Sequence, residues 1–150
     1  MSTSTISAGK KVMPGVQVLD SLAPYAPWAL RIAVASVFLY HGLTKFPNLA
    51  GMATMMGLPV ALFALVALAE TAGGALVLIG GIVKGAMGDL LTRLGGAAII
   101  PPMLGAIAMV HIGQWSFVPS DTHPMGGMEF QFTLLMIGLY FLLRGNGQSE

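Results

Sequence analysis

An all-α bundle of four transmembrane helices is the fold this sequence predicts, and three observations predict it. Only 9% of its 150 residues are charged while 55% are hydrophobic, and the mean hydropathy is +0.80. Soluble domains carry about 25% charged residues, so this chain has too few to cover a surface exposed to water. Four apolar segments each come near the ~20 residues that cross about 30 Å of hydrocarbon at 1.5 Å per residue. Proline, glycine and asparagine cluster between those segments, where turns belong. Helices rather than strands are expected, because lipid offers no hydrogen-bond partner to an open strand edge.

Residues 1–27 are mixed and polar, with Lys10, Lys11, Pro14, Gly15 and Asp20. They predict a cytoplasmic tail in which Val12, Val16, Leu19 and Leu22 form a short segment suited to the membrane surface. The stretch lacks the early apolar run and small-residue cleavage pattern of a secretory signal. The membrane domain is expected over 28–145, with spans at about 28–46, 58–83, 90–113 and 128–144, and a short cytoplasmic tail over 146–150. Pro47-Asn48, Gly51 and Gly57-Leu58-Pro59 mark the first loop. Lys84 to Arg93 mark the second, and Val118-Pro119 through Gly126-Gly127 the third.

Charge sets the orientation. Of the seven Lys and Arg, only Lys45 falls at the face that collects Asp121 and Glu129. The positive-inside rule then places both termini in the cytoplasm, as in a bacterial inner membrane. Tyr25, Trp28, Tyr40, Trp115 and Tyr140 fall near span ends, as an aromatic belt would. A net charge of +1 with no basic run excludes a nucleic-acid surface. The absence of cysteine excludes thiolate, disulfide and cysteine-ligated metal chemistry carried by this chain.

The informative residues are those a lipid-facing helix avoids. Arg31, His41 and Lys45 share one stripe of the first span. Glu70 sits near the middle of the second, where a charge needs a partner. Arg31 is expected about six residues nearer the cytoplasm than Glu70's level, roughly 9 Å, a gap that an extended arginine side chain mostly closes. An Arg31–Glu70 pair, direct or through water, is the expectation; it would act as a structural ion pair or as part of a proton relay. A protonated Glu70 is the alternative, since burial disfavours the charged carboxylate.

His41, Lys45, His111, Gln114 and Glu129 all fall in the outer half and form a candidate ligand pocket if their faces converge. Three of them, His41, His111 and Glu129, carry metal-ligand chemistry, but no metal site is expected, because each histidine is better explained by interfacial hydrogen bonds. The glycines near Glu70 (Gly73, Gly74, Gly80, Gly81) read as helix-packing positions. Pro101-Pro102 reads as a kink in the third span. The eleven methionines read as apolar filler; only Met125 and Met128 near His123 hint at a metal relay.

The combination Arg31-x9-His41-Gly42-x2-Lys45, then Ala69-Glu70-Thr71-Ala72-Gly73-Gly74, then His111 and a glutamate opening the fourth span, resembles the DoxX family of small four-helix membrane proteins. The resemblance covers about Leu30 to Gly147, and Pro101-Pro102 departs from it. It implies Arg31, His41, Gly42, Lys45, Glu70 and His111 as the characteristic polar set. It also implies association with respiratory or redox complexes, some relatives being similar to the membrane subunit of thiosulfate:quinone oxidoreductase.

Three functions follow. The first is a subunit of a redox complex that binds a quinone or lipid headgroup in the outer-half pocket, without a covalent cofactor and without catalysing alone. No haem or cluster ligand set is present, so electrons would come from a partner protein. The second is a structural or assembly subunit of a larger membrane complex or homo-oligomer. The third is a proton or small-solute pathway through Glu70.

Overall fold

Proline and glycine set the ends of the helices. Pro27 opens one, Pro59 caps another, and Gly145, with φ of 61°, closes the last. The structure, a computed structural model, describes residues 14–147. Six α-helices run through them: α1 (Pro14–Leu22), α2 (Ala26–Lys45), α3 (Leu49–Met55), α4 (Val60–Ile82), α5 (Gly85–Ala106) and α6 (Glu129–Arg144). Short 3-10 turns at Ala23–Tyr25 and Phe46–Asn48 join the first three, and a π turn, Ile107–His111, extends α5.

The four long helices α2, α4, α5 and α6 form the bundle. Three helical runs, Gly15–Met55, Val60–Ile82 and Gly85–His111, are long and apolar enough to cross a membrane. The fourth, α6, has 16 residues and rises about 24 Å.

Small residues decide which helices touch. α2 packs on α4, α4 on α5, and α5 on α6. Gly42 of α2 faces Ala67 and Thr71 of α4, and Gly74 of α4 faces Ala35 and Leu39 of α2. Gly73 and Gly95 approach each other's backbone between α4 and α5, and Gly96 meets Gly138 and Leu142 between α5 and α6. Backbones this close favour van der Waals packing in lipid, where no hydrophobic force drives helices together. α2 and α6 instead meet through large side chains, with Val34 and Phe38 packed in one core with Val77, Ile99, Leu134, Leu135 and Phe141.

Several boundaries differ from those the sequence suggests. The first loop holds a helix, α3, because Asn48 turns the chain and its side-chain carbonyl accepts from the Gly51 N–H at 3.2 Å. The second loop is short, since α5 starts at Gly85 and carries Asp89 and Arg93 on its first turns. α5 passes helically through Pro101-Pro102, and the irregularity falls later, in the π turn that carries His111. The tail holds a helix, α1, which exposes Val16, Val18, Leu19 and Leu22. Lys10, Lys11, Val12 and residues 148–150 lie outside the described residues.

The glycine contacts predict a contrast between two substitutions in α5. A Cβ at Gly96 would stand 2.6 Å from the Gly138 carbonyl oxygen and the Leu142 nitrogen, whereas one at Gly105 meets nothing within 4 Å. Gly96→Ala should therefore lower stability by about 1–3 kcal/mol. Gly105→Ala should leave it unchanged or raise it by up to about 1 kcal/mol through helix propensity. Thermal unfolding in detergent measures both.

Candidate functional site

The register of α2 against α4 decides which charges meet. Gly42 stands beside Ala67 and Thr71, Gly74 beside Ala35 and Leu39, and Gly81 beside Arg31. Lys45 is thus level with about residue 67, one turn from Glu70, and its long stem reaches inward to it. The Lys45 ammonium pairs with Glu70 Oε2 and also donates to the His41 carbonyl at 3.1 Å. Both side chains are largely buried, 14% and 7% exposed. The pair is an ammonium–carboxylate contact in low dielectric, where breaking either half is costly.

The Arg31–Glu70 pair expected from the sequence does not form. Arg31 lies level with Gly81, eleven residues along α4 from Glu70, or about 16 Å. The expectation placed the two about six residues apart in depth; the contacts of Gly42 with Thr71, of Gly74 with Ala35 and of Gly81 with Arg31 set them eleven apart. Arg31 instead donates to the Val77 carbonyl, to Thr92 Oγ1 at 3.0 Å and to Asn146 Oδ1 at 2.6 Å.

The expected outer set divides in two. His41, Lys45 and His111 line one cavity of about 350 Å³, together with Glu70, Gln131 and Phe38. Met52, Met56, Met103 and Met125 complete much of its wall. Gln114 and Glu129 do not reach it. Gln114 donates to the Ser116 and Val118 carbonyls at 2.8 and 2.7 Å, and Glu129 accepts from the Phe117 N–H at 3.2 Å. The two residues fasten the loop before α6. This loop needs such fastening because its carbonyls and amides lie outside any helix.

His111 is buried and held at both ring nitrogens. Nδ1 lies 2.8 Å from the Gly126 carbonyl, which can only accept, so Nδ1 carries the proton. Nε2 is then the acceptor for the Gln131 side-chain amide at 2.9 Å. Gly126, with φ of 78°, turns the loop so that its carbonyl meets the ring. That chain of assignments leaves Gln131 Oε1 buried without a partner. An orphaned acceptor beside a cavity is an opening for a donor from a ligand.

Gln131 was not among the residues singled out from the sequence. The signal was available: a lone amide inside the apolar run of α6, flanked by Phe130 and Phe132. Thr92 and Asn146, the partners of Arg31, were not singled out either: Thr92 is a small polar residue in an apolar run, and Asn146 lies in the polar stretch after α6.

A second cavity, of about 380 Å³, adjoins the first, sharing Lys45, Met56, Phe63 and Glu70 in its wall. It runs between α4 and α5. Pro101, Pro102, Gly105 and Ala106 form one side, and Leu62, Val66 and Ala69 the other. Its only charged lining residues are Lys45 and Glu70. Among the described residues no cluster of His, Cys, Asp or Glu could hold a metal ion.

Fold and site together define a small integral membrane protein with a buried ion pair between an apolar groove and a second cavity that gathers His41, His111 and Gln131. The chain belongs to the DoxX family, whose model matches residues 26–112. The match contains Arg31, His41, Gly42, Lys45, Glu70 and His111 and stops short of α6 and Gln131. The chain is also 29% identical over 120 residues to "Putative oxidoreductase CatD" of Bacillus subtilis (strain 168), covering 78% of this chain and 77% of that protein. No solved structure matches it.

The observed pairing predicts the outcome of two double-mutant cycles. Lys45→Met and Glu70→Gln should couple by about 1–3 kcal/mol, because either change alone strands the other partner. Arg31→Gln and Glu70→Gln should add within about 0.5 kcal/mol, as sites this far apart do. Thermal unfolding of the three single and two double variants in detergent, beside the unaltered protein, measures both cycles.

Proposed function

We propose that this protein binds a quinone between its helices, the ring in the cavity of His41, Lys45 and Gln131 and the tail in the groove between α4 and α5. The observation that carries the reading is the gathering of His41, Lys45, Glu70, His111 and Gln131, whose Oε1 is buried without a partner, around one cavity that adjoins an apolar slot. A quinone ring needs donors for its carbonyls, and the Lys45 ammonium and the exposed His41 ring supply them. A quinol hydroxyl needs an acceptor, and Gln131 Oε1 is one with no other use. The site therefore favours the reduced form. An isoprenoid tail needs an apolar path open to lipid, which the groove beside Pro101 and Gly105 provides.

The chain has no cysteine to hold an electron carrier. Electrons pass to or from a partner protein in the membrane, and the name of the Bacillus subtilis relative supports a redox setting. Protons exchange at His41 and at the Lys45–Glu70 pair, the groups nearest the ring. Arg31, Lys84, Arg93 and Arg144 gather at the end of the bundle remote from this cavity. By the positive-inside rule that end faces the cytoplasm, with both termini, and the ring sits toward the outer face of a bacterial inner membrane.

Binding of a short-tailed and a long-tailed ubiquinone to purified protein, measured by displacement of a fluorescent analogue, tests the reading. Gln131→Leu should weaken binding of the quinol about tenfold, the equivalent of one lost hydrogen bond at about 1.4 kcal/mol, and that of the quinone far less. Gly105→Leu should weaken the long-tailed compound and spare the short one. Equal binding of all compounds to both variants and to the unaltered protein would sink the proposal.

A further inference from the structure

At the opposite end of the bundle Arg31 is 3% exposed, yet among the described residues it makes no ion pair. Its three hydrogen-bond partners are neutral: the Val77 carbonyl, Thr92 Oγ1 and Asn146 Oδ1. The rings of Phe141 and Trp28 stand 5.0 and 5.9 Å from its Cζ. Among the described residues, two carboxylates belong to this end. Asp20 is on the exposed α1. Asp89 is already engaged, accepting from Arg93 Nε at 2.7 Å and from the Asn146 N–H at 2.8 Å. A buried guanidinium balanced only by dipoles is a costly arrangement that an anion would relieve.

There is room for one. A cavity of about 360 Å³ opens here, lined by Arg31, Lys84, Asn146, Trp28 and Gly81 among others. Of the five guanidinium N–H groups, Nη1 uses two and Nη2 one. The Nε–H and one Nη2–H are left over. Gly81 is what keeps the Nε side clear, since a Cβ there would stand 2.9 Å from both Nε and Cδ. Lys84, exposed between α4 and α5, adds a mobile ammonium at the rim.

We propose that this cavity binds a phosphate group, held by the free N–H groups of Arg31 and by Lys84. Two fixed donors and a point charge suit an oxyanion with several acceptor oxygens. The location favours a phospholipid headgroup. Pro24, Pro27 and Trp28 form the side of the cavity next to α1, whose Leu19 and Leu22 are exposed together with Tyr25 just beyond it, the composition of a segment lying among headgroups. A soluble phosphate ester offers the same chemistry. The site is separate from the quinone cavity and stands without it.

The test titrates the full chain, in uncharged detergent, with dihexanoyl-phosphatidylglycerol, dihexanoyl-phosphatidylcholine and glycerol phosphate. The anionic lipid should bind at least about tenfold tighter than the zwitterionic one. Lys84→Gln, an exposed change that leaves the core alone, should weaken the anionic lipid about tenfold. Gly81→Ala should do the same by crowding Nε. Arg144→Gln, which removes an exposed cation at the same end but outside the cavity, should change nothing. Glycerol phosphate that competes for the site names a soluble ester as a ligand; failure to compete names the lipid. Equal affinity for the two lipids, or an equal loss on Arg144→Gln, would overturn the proposal, because either means general surface charge.

Discussion

The close approach of α2 to α4 sets nearly everything else. Gly42 lies against Thr71 and Ala67, and Gly74 against Leu39 and Ala35, so the two helices can slide only in steps that find another pair of small residues. That constraint fixes the level at which each charged side chain meets its neighbour helix. It brings Lys45 within reach of Glu70 and carries Arg31 away to Gly81, Val77 and Thr92. In water the same charges could find solvent after a register slip. In lipid each slip would strand a charge, so the glycine contacts and the ion pair enforce each other.

The features legible in the sequence are those that depend on periodicity and composition. The all-helical class and the four long helices follow from where apolar residues run and where proline and glycine stop them. The glycines near Glu70 read correctly as packing positions. What failed was depth. Nothing local fixes the register of α2 against α4, and the observed register turns an expected gap of about 9 Å into about 16 Å. Pairing across helices is a property of relative displacement, which a single chain's spacing does not encode. The loop residues failed for a related reason. Gln114 and Glu129 look like site residues because they are polar at the right height, but an irregular segment must satisfy its own backbone first.

Gln131 shows the converse case. It is placed by His111, which is placed by the Gly126 carbonyl, which depends on a glycine with positive φ in a loop fastened by Gln114. The residues that looked like ligands thus hold the residue that has an unused acceptor. Such a chain runs from the end of the π turn through the loop into the first turn of α6. Only the folded molecule links its members.

The two halves of the bundle are packed differently, and the difference explains where a ligand can enter. In the half nearer Arg31, the core is filled by branched and aromatic side chains that are fully buried, Val34, Val77 and Phe141. In the half nearer Lys45, four methionines line the cavity, and glycine, alanine and proline line the groove beside it. Methionine adapts its shape to what it touches, whereas β-branched side chains have few rotamers to offer. The Pro101-Pro102 pair, a departure from the family pattern in the sequence, sits in the wall of that groove. Rings without N–H donors and without long side chains leave a shallow apolar face there, opposite Ala69. The stiff half keeps the helices in register; the adaptable half, held open around one ion pair, is where an apolar guest with a polar head can be received.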